Sequence, residues 1–455
     1  MSKKKTTKKA PAKKEVKKTT KKAPAKKDFS RLRGMKDILF DEYKYWDLVI
    51  KKATELAKAY SFQKIETPVL ERLDLFEKAT GKTSDIVSKE MYTFIDRNDE
   101  RIALRPEATP SLVRAYIDHG MFNLPQPVKM FWLGPLFRHD KPQSGRYRQF
   151  NQFDLEVFGE ENPVADILII LIAYNFFKEL QIEVQVQINS IGCEECRKEY
   201  IDALLEFYKE RGKRSKLCND CRKRILKNPL RLLDCKEESC AQVREGAPQI
   251  VDFLCDPCKD HFIKVLEYLD ELEIPYNLNP YLVRGLDYYN RTVFEIWPQE
   301  EESEEHKQRA QSALGGGGRY DGLVELMGGR PTPACGFGLG LERTIITIKE
   351  KNIPIKKDNQ NLVFIAQLGD QARRKAMNLF EEMRRSGINV RQAFTKDSLK
   401  AQLEEANRLD AKFSLILGQK ELMDDTILLR DMESGIQEVI DYKKINQEIE
   451  KRMDG

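Results

Sequence analysis

Long apolar runs are scarce in this 455-residue chain. The longest, residues 167–173, falls well short of the roughly 20 apolar residues that a bilayer-spanning helix needs. No hydrophobic signal segment leads into the first globular stretch, so the expected location is the cytoplasm, with no membrane partner. The first 27 residues lack arginine, serine-rich stretches and an apolar helical face, which argues against an organellar presequence. The nine cysteines are then expected in a reducing compartment, where paired cysteines favour a metal over a disulfide.

A hydrophobic content of 41% with 33% charged residues describes a soluble globular chain long enough for two or three domains. The net charge of +5 hides an asymmetry. Residues 1–27 hold 13 Lys and one acid, leaving 65 basic against 72 acidic residues in the remainder. That basic arm repeats KKTTKKAPAKK at residues 4–14 and 17–27, has almost nothing to bury, and is expected to be disordered. Such an arm suits non-specific contact with nucleic-acid phosphate.

From Phe29 the patterning becomes globular. Residues 41–60 place Tyr45, Leu48, Val49, Ala53 and Leu56 at helical spacing. Residues 62–70, FQKIETPVL, form a strand that Pro68 interrupts, which points to a sheet edge or a strand start. Two β-rich runs, MYTFID and RIALRPE, flank a turn at Arg97, Asn98 and Asp99. Thr109 is placed to cap a following helix with Pro110 at its first position, and Glu107 and Thr109 stand where strand meets helix.

The densest chemistry lies in residues 137–159, FRHDKPQSGRYRQFNQFDLEVFG. Two strands flank a loop carrying Arg138, Lys141, Arg146 and Arg148, cations that suit polyphosphate. The returning strand puts Gln152, Asp154 and Glu156 at period 2, on one sheet face, where acceptors suit a small polar ligand. Further on, LVRGLDYYNRTVFEI sets Arg284 beside Gly285, so that a guanidinium can approach a phosphate or carboxylate, and follows it with Tyr288 and Tyr289. The four-glycine run in ALGGGGRYDGL lacks the spacing and Lys-Ser/Thr of a P-loop, and close backbone approach to a ligand fits it better. ACGFGLGLERTI is strand, small residues and helix, with Arg343 unaccounted for by packing and Cys335 as a small buried residue.

Eight of the cysteines fall in four pairs: Cys193/Cys196, Cys218/Cys221, Cys235/Cys240 and Cys255/Cys258. Three pairs are CxxC, a spacing that lets two thiolates reach one tetrahedral Zn²⁺. Two four-thiolate sites, or one site with free cysteines left over, are both compatible with the spacing. The last stretch alternates strand and helix as βαβαβ, with apolar positions 372, 376, 379, 380 and 383 on one helix face and Gly387 closing it, and carries no catalytic constellation.

Residues 137–159 resemble motif 2 of the class II aminoacyl-tRNA synthetases in the form found in the histidyl-tRNA synthetase family. Residues 41–70 resemble motif 1, residues 334–345 motif 3, and RGLDYY and ALGGGGRYDGL the segments peculiar to that family. The resemblance covers nearly all of the chain from Phe29. It implies an α+β fold: a class II antiparallel-sheet catalytic domain (29–190 and 280–347), a mainly helical Cys-rich insertion (191–279), a linker (348–360) and an α/β anticodon-binding domain (361–455), all following the arm (1–28). It implies ATP-dependent activation of L-histidine and transfer to tRNA(His) by a homodimer using Mg²⁺, with motif 1 building the dimer interface.

Residue by residue, the resemblance implies Arg284 and Arg138 as catalytic residues on the α-phosphate. Arg146 and Arg343 fall on the outer phosphates, with Phe150 also in the ATP site. Glu107, Thr109, Gln152, Glu156, Arg284, Tyr288 and Tyr289 surround histidine, and Gln143 meets the tRNA acceptor end. The chain departs from the commoner family strings at Asp140–Lys141, where Glu-Arg is frequent, and at Ala108, where Gly is frequent. Two rivals are a synthetase-like regulatory subunit of ATP phosphoribosyltransferase, which binds histidine without charging tRNA, and a metal-bearing nucleic-acid-binding protein.

Overall fold

The computed structural model describes residues 30–81, 84–210, 212–299, 313–355, 361–393 and 397–454. The basic arm, with its expected disorder, lies outside them. The chain divides into two compact units, one ending at Asn352 and the other beginning at Ile353. Among the described residues, no helix is long and apolar enough to cross a membrane.

The first unit contains strands β1 (Gln63–Lys64), β2 (Leu70–Arg72), β3 (Thr93–Ile95), β4 (Arg101–Leu104), β5 (Val128–Phe137) and β6 (Gln149–Phe158). They are followed by β7 (Val184–Ser190), β8 (Tyr276–Leu278), β9 (Asn290–Pro298), β10 (Gly315–Arg319) and β11 (Ala334–Gly340). Eight of them form one sheet in the order β1-β5-β6-β11-β10-β9-β7-β8, antiparallel except at its two margins, where β1/β5 and β7/β8 are parallel. The sheet is the expected antiparallel one, and its order differs from the all-parallel arrangement of a doubly wound nucleotide-binding fold.

Residues 62–70 do not make one strand. Pro68 has no amide proton to give a ladder, and the chain splits there. β1 joins the margin of the large sheet, and β2 joins a separate three-stranded sheet, β2-β4-β3. The helix Phe40–Ala59 forms as its spacing requires, and it also buries Trp46, which sequence periodicity did not single out.

The helix expected after Glu107 starts at Thr109, but its N-cap is Ala108 and Pro110 stands at the second position. Thr109 does not cap it. Its hydroxyl donates instead to Glu156 Oε1 at 2.6 Å, so the side chain faces the sheet rather than the helix end.

The Cys-rich stretch is helical, as expected: Glu194–Lys209, Lys213–Lys216, Asn219–Lys227, Glu238–Arg244 and Asp256–Glu271. It does not fold apart from the sheet. Tyr200, Leu204 and Tyr208 of its first helix share one apolar cluster with Tyr289, Val293 and Tyr320. The insertion is therefore built into the same core as Tyr289 and the strand β9 that follows it.

In the second unit, β12 (Val363–Gln367), β13 (Val390–Gln392), β14 (Phe413–Leu417), β15 (Thr426–Asp431) and β16 (Gln437–Asp441) form a sheet in the order β13-β12-β14-β15-β16. The helix Asp370–Arg385 buries Ala372, Ala376, Leu379 and Met383 against it. Ser386 is its C-cap, and Gly387 takes the following left-handed position at φ +78°.

Candidate active site

β6 supplies the floor of the site. Phe153, Leu155 and Val157 point into the apolar core, while Gln152, Asp154 and Glu156 share the opposite face. The next strand must leave room for these acids, and it does so with glycine. Gly340, Gly338 and Gly336 of β11 pair with Gln152, Asp154 and Glu156. A Cβ at Gly336 would fall 1.6 Å from Glu156 Oε2, and one at Gly338 would fall 2.0 Å from Asp154 Oδ1. These glycines therefore serve the neighbouring carboxylates directly.

The acids are buried in a hydrogen-bonded cluster. Glu156 accepts from Thr109 Oγ1 and, on its other oxygen, from Tyr320 Oη. Glu107 accepts from Thr80 Oγ1 at 2.9 Å and from Tyr288 Oη at 3.0 Å. Tyr288 and Tyr289 lie 4.7 Å apart between ring centroids, tilted at 43°, and the Arg284 guanidinium lies 5.8 Å from the Tyr289 ring.

Loss of solvent pushes the Glu156 carboxyl up to about 8 and raises Glu107 and Asp154 as well. The same burial pushes Tyr289 up to about 12. Asp154 Oδ2 is buried without a hydrogen-bond partner, an unusual position for a carboxylate oxygen.

The raised Glu156 value fixes the sign of a stability effect. Between its ordinary value of 4.5 and about 8, the unfolded chain has released a proton that the folded chain keeps. Stability therefore falls as pH rises through that window. Glu156→Gln, which cannot titrate, is expected to lose less stability than wild type between pH 5 and pH 8. Melting temperatures of both proteins across that range check the outcome.

Beside the cluster opens a cavity of about 460 Å³ lined by Arg138, Arg146, Phe150, Gln152, Arg284 and Arg343. Each cation is held by the chain. Arg138 Nε donates to the Pro106 carbonyl at 2.8 Å, with its guanidinium 5.4 Å from the Phe150 ring. Arg146 pairs with Asp140 at 3.2 Å. Arg284 Nη1 pairs with Glu295 Oε1 at 2.6 Å. Arg343 Nη1 donates to the Ala313 carbonyl at 2.6 Å. Burial, then the nearby Arg146 and Arg138, holds Arg343 below its ordinary value. Such a concentration of positive charge calls for an anion.

The four-glycine run forms β10. Gly315 and Gly316 line the cavity, and the run also permits close approach within the protein: a Cβ at Gly317 would lie 2.0 Å from the Gly336 carbonyl, and one at Gly316 would lie 2.7 Å from Arg284 Nη1. Gln143 sits exposed in the β5–β6 loop, bridged to Arg146. Arg319, which follows the glycines, is fully buried and bound to Asp166, Asp321 and the carbonyls of Glu160 and Asn162.

Of the sequence-derived site residues, Arg138, Arg146, Phe150, Gln152, Arg284 and Arg343 line the cavity. Glu107, Thr109, Glu156, Tyr288 and Tyr289 form the polar cluster next to it. Sequence reasoning assigned no contact to Thr80, Tyr320, Glu295 or Asp154. Only Asp154 carried a signal, its place in the period-2 row.

The eight paired cysteines form no disulfide and gather in two groups: Cys193, Cys196, Cys255 and Cys258, and Cys218, Cys221, Cys235 and Cys240. Within each group the sulfurs all lie within 4.8 Å of one another. Cys193 Sγ is 3.5 Å from Cys196 Sγ and 3.9 Å from Cys255 Sγ, and Cys218 Sγ is 3.9 Å from Cys235 Sγ. Four thiolates around Zn²⁺ at ~2.3 Å give tetrahedral edges of about 3.8 Å, so the spacing fits the ion. Backbone amides of Cys255 and Cys218 donate to Cys196 Sγ and Cys240 Sγ at 3.1 and 3.2 Å. Cys335, the ninth, is buried away from both groups in β11.

A family model described as Histidyl-tRNA synthetase matches residues 34–344, and one described as Anticodon binding domain matches residues 353–452. The Histidine–tRNA ligase of Natranaerobius thermophilus is 42% identical over 419 residues, covering 92% of this chain and 97% of the relative. That of Dehalococcoides mccartyi (strain 195) is 44% identical over 422 residues, covering 92% and 99%. The crystal structure of apo Staphylococcus aureus histidyl-tRNA synthetase superposes with a TM-score of 0.77 at 34% identity, covering 92% of this chain and 99% of the other.

Proposed function

The chain belongs to the histidyl-tRNA synthetase family, and from that premise we propose how its residues carry out the reaction. The activity is that of a histidine–tRNA ligase: ATP activates L-histidine to histidyl-adenylate with release of pyrophosphate, and the histidyl group passes to the 3′ end of tRNA(His). The observation that carries the residue assignment is the junction of the buried carboxylate cluster with the arginine-lined cavity at Gln152 and Arg284.

Histidine occupies the cluster side. Glu107 and Thr109 face its ammonium group, with Gln152 at the polar head. Glu156 and Tyr289, with Tyr288 beside them, face the imidazole. A buried acceptor rejects an isostere lacking the ring N–H because it is then left unpaired.

ATP occupies the cavity. Arg138 and Arg284 hold the α-phosphate in line with the histidine carboxylate, which attacks phosphorus as the bond to pyrophosphate breaks. Arg146 and Arg343 take the outer phosphates, and Phe150 offers its face to the nucleotide. Glu342 on the cavity wall offers the carboxylate oxygens that a hard divalent cation takes, and Mg²⁺ would be held there. When bound, it supplies further charge neutralisation to the departing pyrophosphate. Gln143, exposed in the loop, meets the tRNA acceptor end, and the second unit reads the anticodon.

The test is charging of tRNA(His) with labelled histidine by the full chain. Absence of charging alongside histidine binding would favour a regulatory subunit. Retention of all four cavity arginines and of the anticodon-binding unit argues for charging.

The proposal extends to assembly, metal and location. β2 and β3 leave Leu70 and Phe94 exposed on one face of the three-stranded sheet, with Ile95 exposed on the same edge strand as Phe94, apolar surface that suits a homodimer contact. Phe94→Lys with Ile95→Lys is expected to convert the protein to monomer, as read by light scattering after gel filtration. The two thiol groups hold structural Zn²⁺, and the protein works in the cytoplasm, where tRNA is charged and paired cysteines favour a metal over a disulfide. About two zinc ions per chain are expected by elemental analysis of protein purified without a metal-binding tag, with chelation loosening the insertion.

A further inference from the structure

The segment between the two halves of the second thiol group touches both walls of the histidine site. Cys218 caps the helix Asn219–Lys227 and Cys221 lies within it, while Cys235 and Cys240 follow the short turn Pro229–Leu232. Arg224 Nη2 and Arg231 Nη2 both reach Asp85 Oδ2 at 3.1 Å. Lys89, four residues on, pairs with the other oxygen at 3.1 Å. On the opposite wall, Asn228 Nδ2 donates to Asp287 Oδ1 at 2.7 Å, and Arg231 Nη1 donates to the Gly285 carbonyl at 3.3 Å.

The two walls so joined meet at a residue assigned to the histidine ammonium. Thr80, at the end of the helix leading toward Asp85, and Tyr288, next to Asp287, both donate to Glu107. Between them Gly81, at φ +87°, leaves no room: a Cβ there would stand 2.4 Å from Asp287 Oδ2. Arg231 and Asp85 themselves line the cavity.

We propose that the Cys218/Cys221/Cys235/Cys240 site is a metal-set latch, whose Zn²⁺ holds Arg224, Asn228 and Arg231 across the Asp85 and Gly285–Asp287 walls and so fixes the geometry of histidine binding at Glu107. The inference rests on the zinc and histidine readings above. Arg231 and Asp85 act here as positioning residues. The stretch from 218 to 240 has only short helical pieces and turns, and besides Ile225, Leu232 and Leu233 in the shared core, a four-thiolate ion would tie its two ends together. The first thiol group also reaches a wall of the site, because Arg197, next to Cys196, donates to the Tyr289 carbonyl at 2.6 Å, so the test leaves that group intact.

The experiment uses the full chain and measures histidine-dependent ATP–pyrophosphate exchange together with zinc content. Cys235→Ser with Cys240→Ser should lower zinc from about two ions to about one per chain. The KM for histidine should rise about tenfold, an ordinary magnitude for coupling between sites, with kcat little changed. Asp85→Asn should raise KM similarly while keeping the full zinc content. Combining all three substitutions should give no more than the larger single effect, since one linkage is broken either way. The latch is overturned if Asp85→Asn leaves KM unchanged, if loss of one zinc leaves KM unchanged, or if the effects multiply. Should the cysteine variant fail to fold, Asp85→Asn, which touches no thiol, decides the matter. Zinc-free wild-type protein would overturn the metal reading itself, a result distinct from two bound ions with no effect on KM.

Discussion

Arg284→Ala is expected to lower the rate of histidine-dependent ATP–pyrophosphate exchange by about 10²- to 10³-fold, the usual effect of removing one pre-aligned charge from a developing oxyanion. The guanidinium is fixed before substrate arrives. Glu295 pairs with it at 2.6 Å, the Tyr289 ring lies beneath it, and Gly316 is glycine where a Cβ would stand 2.7 Å from its Nη1. Lysine cannot replace it, because a point charge on a flexible stem lacks the planar fork. Arg284→Lys should therefore recover only a small part of the loss. The effect should appear chiefly in kcat, since the interaction tightens as charge builds on the α-phosphate. Folding should be unaffected, because the residue faces the cavity rather than the core. Near wild-type exchange by Arg284→Ala would remove this residue from the chemistry.

The second large effect is on stability. Arg319 is fully buried at the end of β10, and Asp166, on the helix Pro163–Glu179, is its main partner. The Asp166 carboxyl would be raised by its burial, but the Arg319 guanidinium holds it below its ordinary value. Asp166→Ala leaves a guanidinium in the core with only the more exposed Asp321 as countercharge, and it is expected to lower the unfolding free energy of the first unit by about 3–5 kcal/mol. Arg319→Met with Asp166→Leu, which removes both charges, should cost much less. Chemical denaturation followed in the first unit distinguishes the two. Equal losses from both variants would show that packing, and not the unpaired charge, sets the cost.

The parts of this molecule that were legible in its sequence are those written locally. The β5–β6 hairpin, the period-2 row Gln152, Asp154 and Glu156, and the cations of the loop between them all lie within some twenty residues, so spacing alone gives their face. Pro68 and Gly387 mark their boundaries through backbone geometry that no distant residue can change. Resemblance to the histidyl-tRNA synthetase family then added what local patterning cannot, the pairing of Glu107 with Tyr288 in one site.

What stayed hidden are the partners brought in from far along the chain. Tyr320 meets Glu156 across 164 residues, and Arg231 meets Asp85 across 146. No periodicity encodes such pairs, because they depend on the sheet order β6-β11-β10-β9 and on how the insertion packs back onto it. The cysteines show the same limit. Their spacing fixed which neighbours could share an ion, but only the fold decides that Cys193/Cys196 joins Cys255/Cys258 across the whole insertion. Thr109 was misread as a helix cap for a related reason: capping is a local preference, and a buried carboxylate at 2.6 Å outcompetes it.

The central claim is that a buried carboxylate cluster selects histidine for reaction in the adjoining arginine-lined cavity. The most direct measurement is exchange of labelled pyrophosphate into ATP by the full chain, with each of the common amino acids in turn and with Glu156→Gln beside wild type. The account predicts exchange with L-histidine alone, and a large rise in the histidine KM for the variant. Exchange driven by other amino acids, or a variant with wild-type KM for histidine, would contradict it.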